Sequence, residues 1–210
     1  MYLPPAFAED RTEVKHGLIQ AFPLATLIVQ TADGPAADLI PFLLYPGEGE
    51  HGTLRAHVAR ANPVWKALAD GAPVLVVFQG PEAYISPNWY ETKRTTGKAV
   101  PTWNYAMVQA RGTAHAVEDA AWLRRLLDDL TDAHEGTMPE PWSVGDAPPD
   151  YIATMMRAIV GIELPVSQLT GKWKVSQNRD MADRANIAAG LRTRESDEMA
   201  ALVAERITQG

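Results

Sequence analysis

Segments of alternating or continuous apolar residues predict a protein built largely from antiparallel strands. Leu24 to Thr31 is rich in β-branched residues, and Pro73 to Gly80 is almost entirely apolar, as in a buried central strand. The turns between the early strands are too short for a crossover helix, so neighbouring strands there are expected to run antiparallel. About seven strands are predicted in all. They cover residues 24–31, 38–45, 53–58, 73–80 with 83–85, 100–117, 161–166 and 172–176.

Helical periodicity separates these strands. Between Glu118 and Gly136, leucines recur at the spacing of one helical face. Asp10 to Phe22 has the same periodicity, and the pair Asn62 and Pro63 is typical of the start of a short helix. Further helices are predicted towards the C-terminus. The combination predicts an α+β protein, an antiparallel β-barrel with surrounding helices. No GxGxxG or GxxxxGK[ST] motif occurs, so the usual dinucleotide and P-loop sites have no support.

Composition narrows the class of protein. The 210-residue chain is 46% hydrophobic and 21% charged, which is typical of a globular protein, and its lack of cysteine excludes disulfides and thiolate chemistry. The formal net charge of −7 lowers the expectation of a phosphate-coating DNA-binding protein. No signal peptide or membrane span is recognisable, so a cytoplasmic location without membrane contact is expected. The expected organisation is one domain over residues 1–180 with a helical tail, residues 181–210, packed on it.

A basic segment next to a helix start is the first candidate binding site. Arg55 and His57 share one face of their predicted strand, and Arg60 follows just before the helix that begins after Asn62. The unpaired amides of a helix N-terminus and the fork of an arginine both favour a phosphate group. A solvated basic turn with an ordinary helix cap explains the same residues, and the sequence leaves both interpretations open.

Three later segments are further candidates. GPEAYISPNWY (Gly80 to Tyr90) places aromatic side chains at a strand end, where they line a flat ligand or cap the barrel. In VPTWNY (Val100 to Tyr105), Thr102 and Asn104 share a strand face and can bind a heterocycle or pair across the sheet. GKWKVSQNR (Gly171 to Arg179) is either an exposed turn or the closure of a pocket. The histidines lack metal-ligand spacing, so no metal site is expected.

Together with MYLPPAF at the start and HVARANPVW (His57 to Trp65), these segments resemble the PaiB-like family of FMN-binding proteins. The five motifs occur in order from Met1 to about Arg179. The resemblance implies an FMN-binding split β-barrel, similar to that of pyridoxamine-phosphate oxidase-like proteins. Such barrels usually form homodimers with two FMN sites at the subunit interface.

The resemblance also implies roles for individual residues. In the wider fold, a basic segment between a barrel strand and a helix holds the FMN phosphate, which assigns His57, Arg60 and Asn62 to that group. The segments ISPNWY and PTWNY border the isoalloxazine ring. The implied contacts there are Ser86, Thr102, Trp103 and Asn104, with Lys174 and Gln177 approaching FMN from the same or the second subunit. The sequence leaves open which of Lys172, Lys174 and Arg179 faces a ligand.

Two functions follow from this resemblance. Members of the family are usually described as negative transcriptional regulators, which implies a flavin-dependent dimer that is recognised by a partner protein or by DNA. The residues themselves show no helix-turn-helix signature and no basic surface. The alternative is a flavin-dependent oxidoreductase that acts on a small molecule with NAD(P)H. The sequence names no catalytic residue and does not decide between the two functions.

Overall fold

The computed structural model describes residues 1–208, with side chains described through Glu205. Strands and helices alternate along this part of the chain. The strands are β1 (Ala8–Glu9), β2 (Leu24–Thr31), β3 (Gly34–Pro41), β4 (Leu43–Tyr45), β5 (Thr53–Ala59), β6 (Ala72–Ile85), β7 (Thr102–Val117) and β8 (Ile159–Lys174). The α-helices are α1 (Thr12–Ala21), α2 (Glu91–Thr96), α3 (Ala120–Glu135), α4 (Pro149–Arg157), α5 (Met181–Arg192) and α6 (Asp197–Thr208).

The strands form one eight-stranded antiparallel sheet with the order β3-β2-β6-β7-β8-β5-β4, and β1 pairs with β8. In the pair of β2 and β3, Leu24 lies opposite Pro41. In the pair of β5 and β8, His57 lies opposite Gly161. The predicted α+β class with an antiparallel sheet is confirmed. Within residues 1–208, no helix combines the length and the apolar character that crossing a bilayer requires.

Two strands are continuous where the sequence predicts two pieces each, β6 and β8. The glycines that suggest turns lie instead where another segment approaches closely. A Cβ on Gly80 would lie 2.8 Å from the Leu18 side chain. A Cβ on Gly171 would lie 2.9 Å from the backbone oxygen of Glu9. These glycines therefore allow close packing within a strand and do not end it.

Pro41 has the opposite effect, because the predicted strand 38–45 is divided after it into β3 and β4. Proline cannot donate a ladder hydrogen bond, which confines it to edge strands and strand ends. β3 lies at one end of the sheet order. Phe42, between the two strands, is buried and packs edge-to-face on Phe78, with ring centroids 6.1 Å apart.

The helices follow the predicted periodicity with two differences. Asp119 caps α3 by accepting a hydrogen bond from the amide of Trp122 at 2.7 Å. Asn62 caps the short helix predicted after β5, but this helix, Pro63–Leu68, is a 3₁₀ helix and not an α-helix. The polar loop predicted over residues 86–98 contains α2, which sequence periodicity misses because this helix has no buried residue.

By its internal contacts the chain divides into two units. Unit 1 comprises Met1–Ala21, Gln79–Val108 and Thr170–Gly210, and unit 2 comprises Phe22–Phe78 and Gln109–Leu169. Each unit has its own buried apolar side chains. Those of unit 1 include Ile19, Ile85, Ile187 and Leu191, and those of unit 2 include Leu27, Phe42, Leu54, Phe78, Ile162 and Leu164. The expected domain boundary at residue 180 stays a prediction.

Candidate functional site

The five sequence motifs are distributed unequally between the two units. The segments beginning at Met1, Gly80, Val100 and Gly171 lie in unit 1, and HVARANPVW (His57 to Trp65) lies in unit 2. The candidate residues therefore form two sets, a basic set in unit 2 and an aromatic and polar set in unit 1.

Asn104 and Ser176 form a buried polar pair in unit 1. Asn104 is 1% exposed, and its Nδ2 donates to the Ser176 hydroxyl at 2.9 Å, while the hydroxyl and Asn104 Oδ1 lie 3.1 Å apart. Ser176 has a φ of 63°, a left-handed conformation that is uncommon outside glycine and asparagine. The pair fixes the turn that follows β8 against β7. Asn104 thus has a structural task and is not directly exposed to solvent.

Lys174, the next candidate, is held on the same strand pair. Its Nζ donates to the Thr102 hydroxyl at 2.5 Å and to the carbonyl oxygen of Trp103 at 2.6 Å. Burial lowers the pKa of Lys174, and the neighbouring positive charges of Lys172 and Arg179 lower it further. The structure therefore brings together Thr102 and Lys174, two residues that the family resemblance assigns to the cofactor.

Gln177 and Ser86 use their side chains locally. Gln177 accepts a hydrogen bond from the amide of Val175 at 2.8 Å and donates to the carbonyl oxygen of Trp173. Ser86 caps the 3₁₀ helix Pro87–Trp89 by accepting from the amide of Asn88 at 3.2 Å. Both residues shape the backbone of their motifs.

An exposed aromatic pair completes the set in unit 1. Trp103 is 51% exposed. Its ring packs edge-to-face on Tyr84, with centroids 5.9 Å apart. Two apolar rings exposed side by side offer a face on which a flat ligand can stack.

In unit 2, His57 lies on β5 beside a cavity of about 340 Å³. Its Nδ1 is buried and has no hydrogen-bond partner among the described residues. Burial lowers the pKa of His57, so the imidazole is expected to be neutral at pH 7. The cavity is also lined by Pro41, Leu127, Leu130, Thr131, His134, Glu135 and Trp142.

Arg60 and Asn62 are engaged within unit 2. The Arg60 guanidinium donates to the carbonyl oxygens of Arg157 at 3.0 Å and Ile159 at 3.2 Å, and it forms an ion pair with Glu118. The Asn62 side chain accepts from the amide of Val64 and donates to Asp38, both at 2.9 Å. The structure therefore does not present these side chains as free donors.

Arg55 is tied into a separate charge cluster in unit 2. Its Nε donates to Glu163 at 2.7 Å, its Nη2 lies 2.9 Å from Glu48, and its guanidinium lies 4.2 Å from the ring centroid of Tyr45. Burial raises the pKa of Tyr45 to about 12. Arg55 therefore has a structural role, and its guanidinium is already occupied by two carboxylates.

The buried His57 gives the protein a testable pH dependence. Because the pKa of His57 is lowered from its ordinary 6.5, the unfolded chain binds a proton at a pH where the folded chain does not. Above pH 6.5, His57 is neutral in both states and does not lower the free energy of unfolding. As the pH falls below 6.5 towards the folded-state pKa of His57, the free energy of unfolding decreases. Urea unfolding at about pH 7.5 and about pH 5.5 should show a smaller loss for His57→Gln than for the parent. His115→Gln, at an exposed position, should leave the loss unchanged; equal losses in all three proteins would contradict the assignment.

Comparison with known proteins identifies a matching family and several related proteins. The model of the family described as "Putative FMN-binding domain" matches residues 1–168. An uncharacterized protein of Emericella nidulans is 33% identical, over 94% of this chain and 92% of its own. The "Protease synthase and sporulation protein PAI 2" of Bacillus subtilis is 29% identical, over 99% of this chain and 98% of its own.

A solved structure shares the fold. The FAD and haem binding protein from Mycobacterium smegmatis superposes with a TM-score of 0.58 and 20% sequence identity, over 80% of this chain and 73% of that protein. The resemblance to the PaiB-like family is confirmed by the Bacillus subtilis relative. On the match over residues 1–168, the chain belongs to the family described as "Putative FMN-binding domain".

Proposed function

We propose that this chain binds FMN. The observation that carries the proposal is the buried Nδ1 of His57, which has no hydrogen-bond partner among the described residues and belongs to the motif linked with the FMN phosphate. Buried polar atoms in proteins are nearly always hydrogen-bonded, so an unpaired imidazole nitrogen on a residue that lines a cavity marks a place where a ligand or a water molecule binds. The family description and the FAD-binding neighbour both support a flavin as that ligand.

In unit 2, His57, Arg60 and Asn62 are the proposed phosphate contacts. Glu118 is the contact of Arg60 that a phosphate would displace, because carboxylate and phosphate compete for the same guanidinium donors. The carbonyl oxygens of Arg157 and Ile159 would still hold the guanidinium in place.

In unit 1, the proposed contacts of the flavin ring divide into two groups. Trp103 supplies an exposed aromatic face, and Lys174 supplies a positive charge beside it. Ser86, Thr102, Asn104 and Gln177 are proposed as the polar contacts, and their local hydrogen bonds position the backbone around them. Bound FMN supplies reversible electron and hydride transfer.

Beyond FMN binding, we propose a cytoplasmic homodimer that acts as a PaiB-like transcriptional regulator. The resemblance to the PaiB-like family, whose members are usually described as negative transcriptional regulators, supports the regulatory role. The alternative is a flavin-dependent oxidoreductase that uses NAD(P)H and a small molecule. The net charge of −7 favours the alternative, because proteins that bind DNA through its phosphates usually carry basic surfaces.

One experiment with two arms separates these functions. In the first arm, the FMN-loaded protein is mixed anaerobically with NADH or NADPH, and loss of the flavin absorbance is followed. In the second, gel shifts with genomic DNA fragments are measured over a series of salt concentrations. A regulator should shift specific DNA, with binding weakened by salt. An oxidoreductase should be reduced and turn over with an acceptor, and reduction without any DNA shift would contradict the regulatory role.

A further inference from the structure

Three positive side chains in unit 1 have no ion-pair partner among the described residues. Lys172, Lys174 and Arg179 are absent from all ion pairs with carboxylates in this part of the chain. Lys172 is only 8% exposed, and its Nζ donates to the carbonyl oxygen of Tyr2 at 3.0 Å. Lysine is almost never buried unless it is paired, because removing its charge from water is costly.

Each of the three cations lies over a tyrosine ring. Lys172 and Lys174 are two residues apart on β8, so their side chains leave the same face of the strand. Their Nζ atoms lie 5.3 Å and 5.9 Å from the ring centroid of Tyr105. The Arg179 guanidinium lies 4.8 Å from the ring centroid of Tyr90. The charges of Lys172 and Arg179 both lower the pKa of Lys174, so each of them lies within electrostatic reach of the Lys174 ammonium group.

These cations retain donors for a ligand. An ammonium group has three N–H donors. Lys174 directs two hydrogen bonds to Thr102 and Trp103, and Lys172 directs one to Tyr2. An oxyanion with several acceptor oxygens would use the remaining donors and offset the repulsion between like charges.

The distribution of charge between the two units also favours an anion site in unit 1. Unit 1 contains 12 basic and 11 acidic residues, whereas unit 2 contains 7 basic and 15 acidic residues. The acidic excess of the chain thus belongs to unit 2. An anionic ligand that approaches unit 1 meets less repulsion than at unit 2, and the GKWKVSQNR segment offers it three cations that form no ion pair among the described residues.

We propose that Lys172, Lys174 and Arg179 form an oxyanion site that binds the phosphate group of a nucleotide-type ligand. That phosphate belongs to a phosphorylated co-substrate such as NADPH, because the FMN phosphate is assigned above to His57, Arg60 and Asn62. The co-substrate's role rests on the proposed flavin function, whereas the oxyanion site itself does not. Neither Lys172 nor Arg179 is among the residues proposed above to contact FMN.

Thermal unfolding of the full chain with inorganic phosphate tests the site itself. Phosphate, against chloride at matched ionic strength, should raise the Tm of the parent but not that of Lys172→Gln/Arg179→Gln. The matched control is Lys93→Gln/Arg94→Gln, which removes two cations from α2 in the same unit and should keep the effect. Arg179→Gln alone, outside any strand, reports the loss should the double variant fail to fold. The proposal is wrong if phosphate stabilises parent and variants equally, or does not stabilise the parent.

Binding titrations then identify the source of the phosphate. The double variant should bind NADPH more weakly than the parent by on the order of tenfold or more, and it should keep the parent's preference for FMN over riboflavin. A variant that instead loses this preference would overturn the assignment of the site to a co-substrate. Unchanged binding of both ligands would overturn the proposal. A chain that takes up no FMN but is stabilised by phosphate would refute only the flavin function.

Discussion

Replacing Gly112 by alanine is expected to lower the free energy of unfolding by about 2–4 kcal/mol. Gly112 lies in β7, and a Cβ at this position would overlap the backbone oxygen of Pro165 and lie 2.8 Å from the Leu164 side chain. A backbone atom within a paired strand cannot rotate away as a side chain can. The clash is therefore relieved only by moving β7 and β8 apart, at the cost of ladder hydrogen bonds.

Gly17→Ala is the matched control for this prediction. Gly17 lies inside α1, and apart from its chain neighbours and the backbone of its own helix no atom lies within 4 Å of the position its Cβ would occupy. Alanine is favoured over glycine in a helix interior, so this variant should gain about 0.5–1 kcal/mol. Urea unfolding of both variants measures the difference. A Gly112→Ala protein as stable as the parent would show that β7 and β8 do not approach as closely as described.

Arg60→Ala is expected to weaken FMN binding by about 1.5–3 kcal/mol, on the order of tenfold to a hundredfold. The guanidinium is the proposed charge-assisted contact to the phosphate, and alanine removes it entirely. The same change removes hydrogen bonds to the carbonyl oxygens of Arg157 and Ile159. The affinity must therefore be measured below the unfolding transition, by quenching of flavin fluorescence.

Arg124→Ala separates the loss of a specific contact from the loss of a charge. Arg124 is a partly exposed arginine of unit 2 and pairs with Asp128 at 2.9 Å. Its replacement should leave the affinity for FMN unchanged. If Arg60→Ala binds FMN as tightly as the parent, the phosphate assignment to Arg60 is wrong. Loss of FMN discrimination in Lys172→Gln/Arg179→Gln would then place the phosphate in unit 1.

The sequence predicts most of the elements because their signals are local. Alternating apolar residues identify β2, and the periodic leucines together with Asp119 identify α3. The errors arise where distant segments decide the structure. Gly80 looks like a turn until Leu18 is known to pack against it. The polar helix α2 is anchored through Thr92, whose hydroxyl donates to the buried carboxylate of Asp183 at 2.8 Å, 91 residues later.

The candidate site shows the same limit. The sequence identifies the motif residues, yet it cannot pair Asn104 with Ser176 or Thr102 with Lys174, which are 72 residues apart in each case. Nor can it reveal that Nδ1 of His57 is buried without a partner. These facts depend on tertiary packing, which local patterns do not encode.

Lys172 illustrates how burial changes the interpretation of a residue. From the sequence it is one of three cations that are equally able to face a ligand. In the structure it is 8% exposed, and no carboxylate among the described residues pairs with it. The alternation of Lys172 and Lys174 around Trp173 was the available signal, because it places both ammonium groups on one strand face. Sequence alone could not show that this face is largely enclosed.

A visible absorbance spectrum of the purified chain tests the central claim most directly. The spectrum is recorded as purified and again after incubation with excess FMN and removal of free flavin by gel filtration. FMN binding predicts flavin bands that stay with the protein, at about one FMN per chain. A folded protein that remains colourless after this treatment would contradict FMN binding and, with it, both flavin-dependent functions.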